Sequence, residues 1–282
     1  EYIKAVVDHT GVNAHFMFPD PEQLFTLLDN IIWHQDEPFA STSIFAQWHI
    51  FDLAGGYPIK VMLDGQGADE LLGGYHGFLW AWLAGLIHTL DVAGFMEEFH
   101  AIRSRHGYRL KDALINLGYI FSPRPLRPLG RSLLGRPDRP EWMQSRIIDH
   151  YGISTTGGIP EPSASIRSLS RKQLLQTTLP ALLHYEDRNS MAHSVEARVP
   201  FLDYGLVEFV YSLPDYYKIK DGETKKILRQ AIKDLVPDKV RQRQDKMGFV
   251  TPEEQWIRDS HRPLFLAMLK SAAETLPAWL IP

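Results

Sequence analysis

The sequence contains no cysteine among its 282 residues. Disulfide bonds, thiolate catalysis and cysteine-ligated metal sites are therefore excluded within these residues. No apolar run reaches the roughly 18 residues that a membrane-spanning helix needs. The first residues, EYIKAVVDHTG, do not have the pattern of a signal peptide either. These absences predict a cytoplasmic protein without a membrane partner.

A strong excess of charge is also lacking. The formal net charge is −4 at pH 7, and the sequence pI is about 6.3. A chain with this balance does not attract nucleic acid through its overall field, so we expect no nucleic-acid partner and only local sites for phosphate. With 44% hydrophobic residues, the chain is long enough to bury the core of an enzyme domain.

The most informative stretch runs from Ile59 to Tyr75 and reads IKVMLDGQGADELLGGY. Its apolar start predicts a buried strand of a parallel sheet that ends at Asp64. The glycines of the following turn permit close backbone approaches. Asp69 and Glu70 then place two carboxylates just past the carboxyl end of the strand, which is the edge where open α/β sheets bind ligands. Taken alone, the stretch is explained more simply as a Gly-rich loop with solvated acids.

Two later segments give this stretch a more specific meaning. They read SVEARVPFLD at 194–203 and RQRQDKMGFVTPEEQWI at 241–257. Together with DGQGADELLGGY, they resemble the synthetase domain of the glutamine-hydrolysing asparagine synthetases. The resemblance implies a helix-rich α/β fold in which helices flank a parallel sheet, of the adenine nucleotide alpha hydrolase (PP-loop ATPase) type with its first strand missing. It covers nearly the whole chain, so we expect one partial synthetase domain over residues 1–282.

The resemblance also implies a reaction. Family members use ATP to activate the side-chain carboxylate of aspartate as β-aspartyl-AMP, and ammonia derived from glutamine then displaces AMP. Such chemistry needs Mg²⁺ and cationic side chains to balance the charge of the phosphates. The implied substrates are ATP, ammonia and aspartate or another carboxylate. A glutaminase domain is implied upstream in the full-length protein, and a homodimer is left open.

The same resemblance assigns the site residues. The turn that borders the nucleotide would consist of Asp64, Gly65, Gln66 and Gly67. Asp69 would be the magnesium ligand, and Lys246 matches the family lysine that contacts the leaving pyrophosphate. Arg188 matches a basic residue near the nucleotide and the acidic substrate, although an ion pair explains this arginine equally well from the residues alone.

Other charged residues have simpler explanations. We expect Glu196 and Arg198 to pair with each other or with neighbouring charges, because charges in an apolar segment are usually paired. Asp36 and Glu37 lie in a polar loop and are either solvated or help to place an amino group. Residues 218–246 hold ten basic and five acidic side chains, and many of these belong to the solvated side of a helix that ends before Pro237.

Two departures from the family pattern limit the assignment. Gln66 stands where asparagine synthetases often have a glutamate, so a neutral amide replaces a carboxylate that could act as a base or bind ammonium. The family's pyrophosphate-binding motif, SGG(L)DS, does not occur in these 282 residues. We therefore expect the isolated chain to be inactive. The alternatives are a relative that amidates or cyclises another carboxylate, and a non-catalytic nucleotide-binding or interaction module.

The rest of the sequence is mainly helical in pattern. Asp20 and Pro21 predict the start of a helix with leucines and isoleucines at helical spacing. Further helices are expected at about 43–54 and 78–90, and a short strand is expected at 13–18. The stretch 122–140 contains five prolines and five arginines, which predicts a surface insertion.

Overall fold

The computed structural model describes residues 1–39, 41–127, 146, 149–150, 163–245, 248, 251–258 and 261–275. Helices dominate this part of the chain. They are α1 (Tyr2–Thr10), α2 (Pro21–Gln35), α3 (Ser43–Gly55), α4 (Ala68–Leu72), α5 (Gly77–His88), α6 (Val92–His106), α7 (Leu110–Phe121), α8 (Ile166–Leu175), α9 (Thr178–Ala192), α10 (Tyr204–Ser212), α11 (Lys226–Ala231), α12 (Asp238–Arg241), α13 (Glu253–Arg258) and α14 (Arg262–Thr275). Among these helices, none combines the length and the apolar character needed to cross a bilayer.

A small parallel sheet connects distant parts of the sequence. Strand β1 (Val61–Leu63) pairs with β2 (Glu196–Arg198). The predicted parallel pairing is confirmed, but the predicted burial of β1 is wrong, since Leu63 is 72% exposed and Val61 is 37% exposed. Alternate side chains of a strand point to opposite faces. Met62 packs on the core with α3, whereas Val61 and Leu63 lie on the other face.

The strand predicted at 13–18 is absent from the structure. These residues have no regular secondary structure, and Phe16 and Phe18 are exposed. A strand exists only where a neighbouring strand accepts and donates its backbone hydrogen bonds. In the described part of the chain, no strand pairs with this segment. The local pattern of apolar residues at 13–18 was therefore insufficient to predict a strand.

Helix α2 follows its local signals closely. The Asp20 carboxylate caps it by accepting a hydrogen bond from the Glu22 N–H at 3.0 Å, and Pro21 occupies the first turn. Leu24 and Ile31 lie on its buried face. The predicted start at Pro21 is confirmed, and α3 and α5 lie where helices were expected.

The two largest apolar clusters join helices from separate parts of the described chain. The larger one joins α5, α6, α7 and α8 around Phe78, Leu83 and Ile102, which are fully buried. A second cluster joins α2 and α3 to Trp256 of α13. Helix α9 packs against α2, α3, α8 and β2, so it lies beside the sheet.

The stretch 122–140 is described only as far as residue 127, where Arg124–Leu126 form a 3₁₀ turn. The predicted surface insertion otherwise lies outside the described residues. The chain resumes as a continuous described segment at residue 163, just before α8.

Candidate active site

The turn after β1 is fixed by backbone contacts. The Asp64 N–H donates to the Arg198 carbonyl at 2.8 Å, which extends the β1–β2 pairing by one residue. The Asp64 carboxylate in turn accepts a hydrogen bond from the Gln66 N–H at 3.0 Å. The turn is therefore anchored both to β2 and to itself at the carboxyl edge of the sheet.

The two glycines of the turn have different roles. Gly67 has φ of 86°, and a Cβ there would lie 2.3 Å from Leu202 Cδ2, so both backbone conformation and packing require glycine. A Cβ on Gly65 would meet no atom within 4 Å. Gly67 thus joins the turn to the segment PFLD, while Gly65 borders open space.

Asp69, the predicted magnesium ligand, lies on α4 and is half-buried. Its Oδ1 is 2.8 Å from Lys225 Nζ. A Cβ on Gly74 would lie 1.8 Å from Asp69 Oδ1 and 2.4 Å from Lys225 Cε. The second glycine of LLGGY is therefore needed for this ion pair to form.

Glu70, the second predicted carboxylate, faces the core instead of the sheet edge. It is 1% exposed, and its carboxylate accepts a hydrogen bond from the Tyr75 hydroxyl at 2.7 Å. Burial and this contact raise the pKa of Tyr75 above its ordinary value. The Ser170 hydroxyl donates to the Glu70 carbonyl at 2.7 Å. Glu70 thus stabilises the packing of α4 on α8, and the interpretation of it as a solvated acid is wrong.

A cavity of about 230 Å³ opens beside Asp69. We call it the cationic cavity, since its charged lining has four basic and two acidic side chains. Its lining residues are Asp69, Gly74, Thr224, Lys225, Leu228, Arg229, Ile232, Val240, Arg241, Arg243, Gln244 and Asp245. Lys246, the predicted pyrophosphate contact, lies outside the described residues, but the three residues before it line this cavity.

Arg229 holds the wall of the cationic cavity in place. Its guanidinium donates to the carbonyls of Thr224 at 2.8 Å and Arg243 at 2.7 Å, and also to the Arg241 carbonyl. Burial lowers the pKa of Arg229. Many charges of this region were predicted to lie on a solvated face, but Arg229 instead holds the segment that leads to Lys246.

The predicted ion pair of Glu196 with Arg198 is present, and Arg188 also has a charged partner. Arg188 Nη2 lies 3.4 Å from Asp36 Oδ2, so the ion-pair explanation of this arginine is the one that the structure contains. Arg198 Nε donates to Glu196 Oε1 at 2.8 Å, as expected. His184 Nε2 lies 3.5 Å from Glu37 Oε1. Asp36 and Glu37 therefore contact α9, and neither is a free turn residue.

Glu186 on α9 was not predicted as a site residue. It is 2% exposed, and neither carboxylate oxygen makes a hydrogen bond of regular geometry in the described part of the chain. Burial raises its pKa to about 7; the negative charge of Asp64 acts in the same direction, and the side-chain amide of Gln66 acts against it. This places a carboxyl group that titrates near neutral pH against the turn.

A signal for Glu186 existed in the sequence. Leu179, Glu186, Asn189 and Ser190 lie on one buried face of α9 at helical spacing. A glutamate on such a face is unusual, since glutamate is almost never fully buried without a partner. The sequence did not single out Lys225 as a site residue. Its left-handed backbone (φ 55°) at the start of α11 is visible only in the structure.

The described residues contain no group of three or more His, Cys, Asp or Glu side chains that could hold a metal ion alone. Asp69 is one of two carboxylates in the wall of the cationic cavity, together with Asp245.

Comparisons with known proteins agree on one family. The family model described as "Asparagine synthase" matches residues 1–280. The chain is 29% identical over 260 residues to asparagine synthetase [glutamine-hydrolyzing] 1 of Bacillus subtilis (strain 168), covering 85% of this chain and 38% of that protein. It is 44% identical over 244 residues to asparagine synthetase [glutamine-hydrolyzing] 3 of the same organism, covering 85% and 34%.

A third relative has a different name. "Amidase chry2" of Gibberella zeae (strain PH-1) is 23% identical over 279 residues, covering 90% of this chain and 41% of that protein. The chain thus spans about two fifths or less of the length of these relatives. The helix-rich fold with a parallel strand pair agrees with the PP-loop ATPase superfamily, in which this family lies. The chain belongs to the asparagine synthase family.

Proposed function

We propose that this chain is the synthetase part of an ATP-dependent amide ligase of the asparagine synthetase type, and that residues 1–282 form one domain. The observation that carries the proposal is the position of Asp69. It lies in the Gly-rich motif after β1 and also in the wall of the cationic cavity, where it pairs with Lys225. A nucleotide with its α-phosphate at the turn would therefore have its β- and γ-phosphates in the cavity.

The proposed reaction has two steps. A carboxylate oxygen of the substrate forms a bond to the α-phosphorus of ATP, the bond to the bridging oxygen breaks, and pyrophosphate leaves. The nitrogen of ammonia then forms a bond to the acyl carbon, and AMP leaves with the electron pair of the broken C–O bond. Lys225 and Arg243 would balance charge on the pyrophosphate, together with Lys246.

Mg²⁺ fits this arrangement as a partner of the nucleotide. It is usually held in proteins by one or two carboxylates, and phosphate oxygens and water supply the other ligands. Asp69 would supply such a carboxylate, and Lys225 keeps it at the cavity wall. When bound, Mg²⁺ would neutralise part of the phosphate charge. The turn residues Asp64, Gly65, Gln66 and Gly67 would border the nucleotide.

Asp36 and Arg188 would lie at the substrate end of the site. Their ion pair, at 3.4 Å, fixes the loop after α2 against α9. Both side chains are partly exposed, so Arg188 keeps donors free for the carboxylate of an acidic substrate such as aspartate. Ammonia would come from glutamine through a glutaminase domain; the two Bacillus subtilis relatives are named as glutamine-hydrolysing enzymes.

A second candidate keeps the adenylation and changes the acid. Gln66 supports it, because its neutral amide stands where a glutamate is frequent in asparagine synthetases. A ligase or cyclase acting on a different carboxylate would use the same turn and the same cationic cavity. The two candidates differ only in the acid that supports adenylation.

The test is ATP–pyrophosphate exchange by the full-length gene product, with aspartate and then with other carboxylates. Exchange that requires aspartate supports the first candidate, and exchange only with another acid supports the second. No exchange with any acid would contradict both and leave a non-catalytic binding module. Because SGG(L)DS is absent from the 282 residues, the isolated chain is expected to give no exchange.

Variants of the cationic cavity sharpen this test. Loss of one preorganised donor to developing charge typically lowers a rate by about 10²- to 10³-fold. We expect that loss for Lys225→Ala and for Lys246→Ala. Lys4→Ala is the control, because Lys4 is an exposed residue of α1 that pairs with Asp8 at 3.9 Å. Equal exchange in all three variants would refute the assignment of the cavity.

A further inference from the structure

A second cavity lies beside the cationic cavity and has a volume of about 610 Å³. We call it the histidine cavity, because two imidazole rings line it. Its basic and acidic lining residues are His76, Arg105, His106, Lys239, Arg243 and Asp245. His76, Arg105 and His106 belong to this lining and not to that of the cationic cavity, so the two cavities are distinct. The proposed reaction, as described above, gives the histidine cavity no role.

The two cavities are neighbours across one segment of the chain. Arg243, Gln244 and Asp245 line both of them. A third cavity, of about 10 Å³, is lined by residues of each, among them His106 and Thr224. This volume corresponds to about one water molecule. An anion that leaves the cationic cavity on this side would therefore enter the histidine cavity.

Arg105, near the end of α6, is held in the lining by a backbone contact. Its Nε donates to the Asp221 carbonyl at 2.6 Å. A guanidinium has five N–H donors, and this is the hydrogen bond that the structure shows for Arg105 among the described residues. A carbonyl carries no net charge, so the contact fixes the guanidinium without neutralising it. Its Nη groups thus keep donors for an anion.

The two histidines fix the rest of this wall. His106 Nε2 donates to the Gly222 carbonyl at 2.8 Å, and its ring centroid lies 5.3 Å from that of His76. His76 Nδ1 forms a hydrogen bond with the Tyr108 hydroxyl. Burial, with a smaller contribution from His106, lowers the pKa of His76, so this ring is neutral at pH 7. When the hydroxyl donates to Nδ1, the ring hydrogen lies on Nε2, and His76 offers an N–H donor.

The charges of the lining favour an anion. Arg105, Lys239 and Arg243 are positive, and Asp245 is negative. Asp245 pairs with Arg243 at 2.8 Å, and Lys239 pairs with Glu1. Among the described residues, no ion pair joins a carboxylate to Arg105, and the Asp221 carboxylate beside it pairs with Lys226. An anion in the histidine cavity would thus supply the charge partner of Arg105.

We propose that the histidine cavity is a second binding site for pyrophosphate, which it takes up as this product leaves the cationic cavity. Arg105 and His76 donate hydrogen bonds to its phosphate oxygens. This role rests on the proposed function, in which pyrophosphate is formed in the cationic cavity and the acyl-adenylate occupies the turn at residues 64–67. The adenylate blocks the end of the site at the turn, so pyrophosphate leaves past Arg243 and Gln244.

The first test measures pyrophosphate binding to the full-length gene product by calorimetry, after a non-hydrolysable ATP analogue has filled the nucleotide site. The unaltered protein should still bind one pyrophosphate per chain. Arg105→Gln removes the charge and keeps a donor for the Asp221 carbonyl. It should weaken this binding by about 10- to 100-fold, the range for a hydrogen bond from a charged group. Arg105→Lys keeps the charge and should weaken it by less than about 10-fold. Arg103→Ala, an exposed position of α6 outside the lining, is the matched control and should bind as the unaltered protein does.

The second test is ATP–pyrophosphate exchange by the same variants. With Arg105→Gln, exchange at low pyrophosphate concentration should fall by about 10-fold and recover at high concentration, while the KM values for ATP and for the acid stay unchanged. Equal rises in all three KM values would indicate a structural defect and overturn the proposal. It would also be overturned if the analogue-filled protein bound no pyrophosphate, or if Arg105→Gln bound it as tightly as Arg103→Ala.

The two tests also separate this proposal from the proposed function. Absence of exchange with every acid in the unaltered protein would refute the proposed function and, with it, the role of the histidine cavity in product release. Pyrophosphate binding that depends on Arg105 would still establish the site in that case.

Discussion

Replacement of Glu186 by glutamine should stabilise the folded chain at alkaline pH. The pKa of this carboxyl group is raised from an ordinary value of 4.5 to about 7 in the folded protein. Above pH 7 the group is ionised in both states, and the folded state bears the full cost of the buried charge. Below pH 4.5 the group is protonated in both states, and the cost disappears. Stability due to this group therefore rises as pH falls from about 7 to 4.5.

The magnitude follows from the difference of about 2.5 pH units. At about 1.36 kcal/mol per unit, the ionised group costs about 3 kcal/mol. Glu186→Gln keeps the size of the side chain and removes the charge, so it should raise the free energy of unfolding by up to about 3 kcal/mol at pH 8.5. The difference between variant and unaltered chain should be near zero at pH 4.5.

Urea unfolding at both pH values measures this difference. An increase of about 3 kcal/mol corresponds to a shift of the urea midpoint of about 1 M at a slope of about 3 kcal/mol/M. Glu98→Gln is the control, with the opposite sign, because the buried Glu98 carboxylate on α6 accepts hydrogen bonds from the Asp221 and Gly222 N–H groups. Its amide cannot accept both backbone N–H groups, so it should destabilise by about 1 to 3 kcal/mol. A Glu186→Gln midpoint that matches the unaltered chain at pH 8.5 would refute the reasoning.

The remaining predictions concern buried polar groups and the turn. Burial lowers the pKa of His49 below 6.5, so the unfolded chain takes up a proton at this residue before the folded chain does. The stability of the folded chain therefore falls as pH drops below 6.5. His49→Phe should reduce this loss of stability between pH 7 and 5, as measured by urea unfolding. Lys218 is fully buried, and its amine has no hydrogen-bond partner among the described residues. Burial also lowers the pKa of Lys218. Lys218→Met should therefore stabilise the chain by about 1 to 3 kcal/mol at pH 7, and a loss of stability would contradict this prediction. Gly67→Ala should destabilise by about 1 to 3 kcal/mol through backbone strain and the clash with Leu202, as measured by thermal unfolding. Gly65→Ala should fold with unchanged stability yet weaken ATP-dependent exchange in the full-length protein, and equal exchange would show that no nucleotide passes close to this residue.

The sequence predicted what local chemistry determines. The Asp20 cap and Pro21 set the start of α2, and leucines and isoleucines at helical spacing set its buried face. The strand at 13–18 failed because its pattern says nothing about a pairing partner. The pairing of Glu196 with Arg198 was predictable, since two residues on one face of a strand lie close together.

The candidate site was predicted only where a contiguous motif defines it. Asp64 to Asp69 were identified as a unit, and the structure brings Asp69 to Lys225, which lies more than 150 positions later. The contact between Glu186 and the turn depends on how α9 packs against β2, and no short-range pattern encodes that packing. A buried position for a glutamate at helical spacing was the available signal.

The pairing of β1 with β2 has a consequence for how the chain is made. Val61 pairs with Glu196, 135 positions later. A ribosome adds about 5 to 20 residues per second, so roughly 7 to 27 s separate the synthesis of the two strands. During that interval the β1 segment has no β2 partner, and its exposed backbone can pair with another chain. The Gly-rich turn is therefore synthesised before β2, and it reaches its final contacts only after β2 has been made. The yield of folded protein should consequently depend on the supply of chaperones during translation.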